Sequence, residues 1–231
     1  MTVFSPRLEI LPQAQRRLWP DLKPASSLGL VLYGGTAVAL RLGHRSSVDF
    51  DFFSDRALDV AALGKAFGFL RGATVLLQDA NSLTVLVEGK APGETVKLSF
   101  FGGLRIGRVG RPSMTDDGVL EVASLDDLMA TKLKVIMQRS EVKDYRDLAA
   151  MIVQGVDLGR GLSAASLLYG ASFQPSVGLK ALTYFGDGDL DTLLTAETET
   201  LISAAAAIRD LPSVRRRSAR LSARAEERTR R

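Results

Sequence analysis

The alternation of apolar and polar positions divides the chain into a front part of short strands and helices and a back part that is helical throughout. Residues 28–33 form a short apolar run that stops at Gly34-Gly35, the pattern of a buried strand. Residues 36–42 then predict a helix, with Gly43 where a C-cap glycine is expected. After a turn over 45–48, residues 49–53 predict a strand. Over 59–70, Val60, Leu63, Phe67 and Leu70 recur at helical spacing. Three more strands are predicted over 74–78, 82–88 and 95–101, the last two joined by the hairpin-like GKAPG. Upstream, residues 7–22 predict one or two short helices broken by Pro12 and Pro20. A Gly/Arg-rich segment over 102–112 marks a boundary, and past residue 120 helix follows helix.

This pattern implies an α/β (α+β) domain with a mixed sheet over 1–118, an all-helical domain over 119–214 and a tail over 215–231. Composition then narrows the setting. The 231 residues are 46% hydrophobic and 24% charged, as in ordinary globular proteins. There is no cysteine, which excludes disulfides and thiolate metal sites and fits a reducing compartment. No apolar run approaches the roughly 20 residues of a membrane span, and the start lacks a signal-peptide layout, so a cytoplasmic protein without membrane partners is expected. The net charge of +4 resides in the tail: eight arginines and two glutamates lie in 215–231, leaving the body at −2. Such a tail suits RNA phosphates or an acidic partner, or is a solvated terminus; the last reading predicts disorder.

Candidate chemistry begins with Asp49 and Asp51 inside the otherwise apolar VDFDFF. Residues i and i+2 of a strand point the same way, with Cα atoms roughly 6.5–7 Å apart. Val48, Phe50 and Phe52 are then expected on the opposite, core-facing side. Two carboxylates this close repel unless a cation neutralises them, and their hard oxygens suit Mg²⁺ held together with substrate phosphates. The plain alternative is a half-exposed strand with two solvated acids. Upstream, Gly34-Gly35-Thr36 runs from a strand into a helix, whose first amides and dipole favour an anion such as phosphate. A glycine turn between strand and helix has the same appearance.

Together, GGTAVALRLGHRSSVDFDFFS resembles the nucleotidyltransferase fold of the DNA polymerase β superfamily, and more narrowly the AbiEii/AbiGii toxin family. Downstream, SLDDLMATKLKVIMQRSEVKDYRDLAAMI resembles that family's helical signature with Lys-Asp-x-x-Asp. The resemblance implies an Mg²⁺-dependent enzyme that uses an NTP and works as the toxin of a toxin–antitoxin or phage-defence pair. Its implied partners are an RNA, tRNA or protein acceptor and a cognate antitoxin. It implies metal ligands Asp49 and Asp51, phosphate contacts from Gly34, Gly35, Thr36, Lys132 and Lys143, and Asp144 positioning or activating the acceptor. Arg45 and Ser46 follow His44 in a His-Arg-x-Ser pattern that would fix the loop before Asp49, with Arg45 as a further phosphate contact.

Helical spacing adds detail. Leu125, Met129, Leu133 and Ile136 define a buried stripe, with Lys132 and Arg139 at its edge as cations expected to reach a cleft against the first domain. Lys134 and Gln138 are expected at the surface. Ser124 is expected as N-cap, with Asp127 in the capping-box position. Lys143 and Asp147 have the spacing of an i,i+4 ion pair. The family pattern is broken at Ser99, where a later strand should carry a third carboxylate; Glu94, Asp116 or Asp117 are the acids that would have to replace it. A decayed fold that binds nucleotide, RNA or a partner without catalysis is therefore the competing reading. An aminoglycoside-type nucleotidyltransferase is a third, with only Asp116-Asp117 as an acidic cluster to support it.

Overall fold

The computed structural model describes residues 2–224. They form two compact units. One comprises the chain up to Gly107, residues 111–123 and the described residues from Ser218; the other comprises 108–110 and 124–217.

The first unit is a mixed sheet of eight strands with helices. In chain order its elements are β1 (Val3–Phe4), α1 (Gln13–Leu18), β2 (Val31–Tyr33), α2 (Gly34–Leu42) and β3 (Asp49–Phe53). These are followed by α3 (Val60–Ala66), β4 (Thr74–Asp79), β5 (Ser82–Glu88), β6 (Thr95–Phe101), β7 (Ser113–Thr115) and β8 (Glu121–Val122). The spatial order is β1-β7-β8-β2-β3-β6-β5-β4. β3 lies antiparallel to β2 and parallel to β6. Hence the central strand carrying Asp49 and Asp51 takes its neighbours from segments before and well after it in sequence.

Period-two alternation makes one side of this sheet a core. Phe50, Phe52, Leu98 and Phe100 are fully buried, and Phe52 stacks on Phe100 at 5.3 Å between ring centroids. Val48 departs from the expected pattern: it precedes the paired residues of β3 and is exposed, while its carbonyl accepts from Gln15 Nε2 at 2.7 Å. The strand predicted over 28–33 begins only at Val31. A 3-10 stretch runs through Leu28 and ends at Gly29, whose φ of +75° turns the chain. The helix predicted over 59–70 ends at Ala66 and gives way to a 3-10 turn at Gly68–Gly72. No sequence pattern marked β1, β7 or β8, which are two or three residues long.

The second unit contains α4 (Leu125–Ile136), α5 (Val142–Val153), α6 (Leu158–Tyr169), α7 (Pro175–Leu182) and α8 (Thr195–Ala207). Met129, Leu133 and Ile136 are buried as the stripe predicted, while Leu125 at its start is half-buried. Ser124 caps α4 by accepting from the Asp127 amide. Asp127 does not reach back as a capping box. Its carboxylate instead accepts from the amides of Val109 at 2.7 Å and Gly110 at 3.1 Å, and burial pushes it above the usual carboxylate range despite these bonds and that from Ser124. α4 packs on α6, where Gly161 leaves room for Met129. Among the described residues no helix is long and apolar enough to cross a membrane.

The tail expected to be solvated over 215–231 is ordered in part. Leu221, Ser222 and Ala223 are buried in the first unit. Ser222 Oγ donates to Glu121 Oε2 and the Ala223 amide to Glu121 Oε1, both at 2.6 Å, while the Leu221 amide donates to Asp55 at 2.9 Å. A fully buried carboxylate needs such donors, and the tail supplies them. Residues 225–231, with the remainder of the arginine run, lie outside the described residues. Replacing Glu121 by Ala removes the acceptor of two buried hydrogen bonds and should cost roughly 2–4 kcal/mol in urea unfolding. A loss under about 0.5 kcal/mol would show that the segment does not depend on this carboxylate.

Candidate active site

The turn from β2 into α2 brings backbone against the acids. Gly34 has φ of +71°, a conformation that side-chain-bearing residues rarely adopt. A Cβ added there would collide with Oδ2 of Asp51. Glycine is therefore required twice, for the turn and for the approach of the carboxylate. The helix begins at Gly34 itself, two residues earlier than the pattern suggested, so Gly34, Gly35 and Thr36 occupy its first turn.

Thr36 is 1% exposed, and its hydroxyl serves the protein rather than the solvent. It meets Ser47 Oγ at 2.7 Å and donates to the backbone carbonyl of Asp49. This pins the start of β3 to the start of α2. The buried serine of the loop is thus Ser47. Ser46, the serine named as a candidate from the sequence, is exposed, and its carbonyl accepts from Arg45 Nη1 at 3.0 Å. Gly43, with φ of +70°, ends α2 as predicted.

Asp49 and Asp51 are half-buried on the face of β3 opposite Phe50 and Phe52. On β6, Lys97 stands opposite Asp49 and Ser99 opposite Asp51; on β2, Tyr33 stands opposite Asp51. Lys97 Nζ lies 3.1 Å from Asp49 Oδ2. None of the three acids proposed to replace Ser99 is uncommitted. Glu94 pairs with Arg17 at 3.2 Å, and Asp116 accepts from Ser5. Asp117 accepts from Trp19 Nε1 at 2.7 Å and Thr115 at 2.6 Å. Burial raises the Asp117 pKa, but hydrogen bonds from Thr115, Trp19 and Val119 outweigh it and hold the carboxyl below its usual value. Among the described residues there is no group of three His, Cys, Asp or Glu placed to hold a metal. Two carboxylates remain, a donor set that fits one Mg²⁺ completing its shell with water and substrate oxygens.

The downstream motif forms a separate ionic cluster within the helical unit. Lys132 Nζ lies 2.5 Å from Asp144 Oδ1 and 2.6 Å from Asp147 Oδ2. Arg139 Nε closes on Asp144 Oδ2 at 2.9 Å and Arg139 Nη1 on Glu141 at 3.1 Å. Both aspartates are fully buried, so each needs its cation. Lys132, expected at the edge of the stripe, is itself buried and spent on these acids. Asp144 is enclosed by Lys132 and Arg139. Lys143 is exposed and pairs with Glu141 at 2.9 Å, not with Asp147 as the i,i+4 spacing suggested. Lys134, expected at the surface, is half-buried and reaches the Ser172 carbonyl. Tyr145, beside Asp144, donates to the Ala181 carbonyl at 3.0 Å. Burial first, then the negative charges of Asp144 and Asp187, push its hydroxyl up to about 12.

Sequence reasoning missed Ser47 and Lys97 as partners and gave Asp147 the wrong cation, Lys143 in place of Lys132. Lys97 was legible as a neighbour of Ser99 on one side of a strand, but its place opposite Asp49 depends on strand order.

Two solved structures share the fold. Structure JHP933 from Helicobacter pylori matches with a TM-score of 0.54, 18% identity and coverage of 84% of this chain and 88% of that one. MenT4, the nucleotidyltransferase toxin Rv2826c from Mycobacterium tuberculosis H37Rv, matches with a TM-score of 0.54, 14% identity and 82% coverage of each chain. The fold is the polymerase β-like mixed sheet followed by a helical region. The chain belongs to the AbiEii family: residues 18–219 match the profile described as nucleotidyl transferase AbiEii toxin of a type IV toxin–antitoxin system. An Aquifex aeolicus (strain VF5) relative, the uncharacterised protein aq_aa25, is 31% identical over 173 residues, 72% of this chain and 80% of that protein.

The two lysines of the downstream motif separate buried from surface electrostatics. Lys132→Met should cost about 3–5 kcal/mol in urea unfolding, because it removes the buried cation shared by two buried carboxylates. Lys143→Met should cost no more than about 1 kcal/mol. Equal losses would contradict the placement of these charges.

Proposed function

We propose that the protein transfers a nucleotidyl group from an NTP to a hydroxyl of an RNA, tRNA or protein acceptor, as the toxin of a cytoplasmic toxin–antitoxin pair. The observation that carries this reading is the seating of Asp51 against Gly34 at the first turn of α2, with Asp49 beside it on the same face. When bound by Asp49 and Asp51, Mg²⁺ would neutralise phosphate charge and lower the pKa of the attacking hydroxyl.

The chain's own residues have three tasks. The first-turn amides of α2 at Gly34, Gly35 and Thr36 orient the triphosphate, as helix N-termini do for anions. Thr36 and Ser47 hold the loop that presents Asp49, and Arg45 on that loop supplies a cation to phosphate. In the helical unit, Lys143 and Arg139 keep exposed side chains able to meet anionic groups. Asp144 and Asp147 are assigned to holding Lys132 and Arg139 in place rather than to the acceptor. The acceptor oxygen bonds to the α-phosphorus as the bond to the bridging oxygen breaks. Pyrophosphate leaves with that electron pair, and the acceptor's proton passes to solvent.

Incubation with each labelled NTP, Mg²⁺ and either total tRNA or whole-cell protein should label one acceptor class. Asp51→Asn should reduce that labelling by at least about a hundredfold. Absence of label with every NTP, together with retained cellular toxicity of Asp49→Ala, would overturn the reading.

Ser99 opposite Asp51 favours a second reading, a binding module without catalysis. Mg²⁺-dependent thermal stabilisation by an NTP supports the enzyme. Stabilisation by RNA alone supports the module.

A further inference from the structure

The charge on the acid face is set by a residue that is neither acid nor glycine. Parallel pairing of β3 with β6 puts Lys97 directly across from Asp49, and its ammonium lies 3.1 Å from Oδ2. Ser99 stands across from Asp51, and each acid that could replace it is bonded elsewhere. The face is built on two carboxylates, Asp49 and Asp51, and Lys97 sets a positive charge against the first. A site holding two divalent ions needs more carboxylate than that.

The Lys97–Asp49 pair is not there to stabilise a core. The Lys97 side chain is 39% exposed and that of Asp49 29% exposed. Ion pairs this open contribute little to folding, because water screens them and the side-chain rotamers must be fixed. What the pair does change is the local field: a fixed positive charge occupies the Oδ2 side of Asp49 that a metal ion would otherwise approach.

We propose that Lys97 is a resident cation of this site, taking the place of one divalent ion so that the acid pair accepts a single ion. The proposal rests on the reading that Asp49 and Asp51 hold metal. Lys97 acts through Asp49 as a positioning residue: it orients the carboxylate and lowers the site's affinity for free divalent ions in the absence of nucleotide. It also supplies positive charge without an ion having to bind.

Titration of the full chain with Mn²⁺ alone, followed by electron paramagnetic resonance, tests this. Wild type should bind a single weak equivalent. Lys97→Met should bind Mn²⁺ about tenfold more tightly and approach a second equivalent. Lys97→Gln should behave like Lys97→Met, and Lys97→Arg should restore the wild-type curve. Asp51→Asn should abolish binding in either background. Unchanged affinity and stoichiometry in both Lys97→Met and Lys97→Gln, with binding still lost in Asp51→Asn, would overturn the role of Lys97 and leave the metal reading standing. No Mn²⁺ bound by any variant would overturn both.

Discussion

The approach of the Asp51 carboxylate to Gly34 governs the first unit. A strand must end and a helix must begin within one residue of a charged side chain, and only a residue without Cβ can occupy that point. Once Gly34 turns with positive φ, α2 starts immediately, and its first turn lies beside the acids instead of one turn further along the chain. Thr36 then ties back to Ser47 and to the Asp49 carbonyl, so the thirteen-residue excursion from Thr36 to Asp49 is closed by its own hydroxyls. These bonds hold the strand carrying the carboxylates to the helix terminus, which suits a site that must place phosphate and metal together.

Charge is handled differently in the two units. In the helical unit Lys132 is shared by Asp144 and Asp147, and Arg139 covers the remaining oxygen of Asp144. Buried acids with short cationic partners are costly to separate, which makes the α4–α5 pair a firm platform for the cations left exposed at its turn, Arg139 and Lys143. In the sheet unit the acids are half-buried and Lys97 pairs with Asp49 at the surface. An open arrangement of this kind lets charges be exchanged for those of a ligand at small cost.

Local patterns were legible and long-range neighbours were not. The alternation in residues 82–88 and 95–101 marked β5 and β6 and identified their buried sides, and Gly43 marked the end of α2. The acid pair and the glycines were visible because charge and conformational freedom are conspicuous in an apolar stretch. β7 and β8 are too short for any period to register, and β8 adjoins β2 some ninety residues earlier in the chain. Ser47 was passed over for Ser46 because adjacent serines differ only in which one folds inward. The arginine run masked Leu221-Ser222-Ala223, whose burial depends on Glu121, a residue about a hundred positions away. Lys143 and Asp147 had the right spacing for each other, but Glu141 and Lys132 were the partners that tertiary packing placed closer.

On the proposed function, Asp49 and Asp51, the latter seated against Gly34, hold metal and nucleotide in this AbiEii-family chain. Crystals grown with Mn²⁺ and an NTP carrying a non-hydrolysable α–β linkage test it directly through anomalous scattering. A manganese peak within about 2.2 Å of an Asp51 carboxylate oxygen, with triphosphate at the first turn of α2, is the result expected. Manganese and nucleotide bound elsewhere, with both carboxylates unliganded, would contradict it.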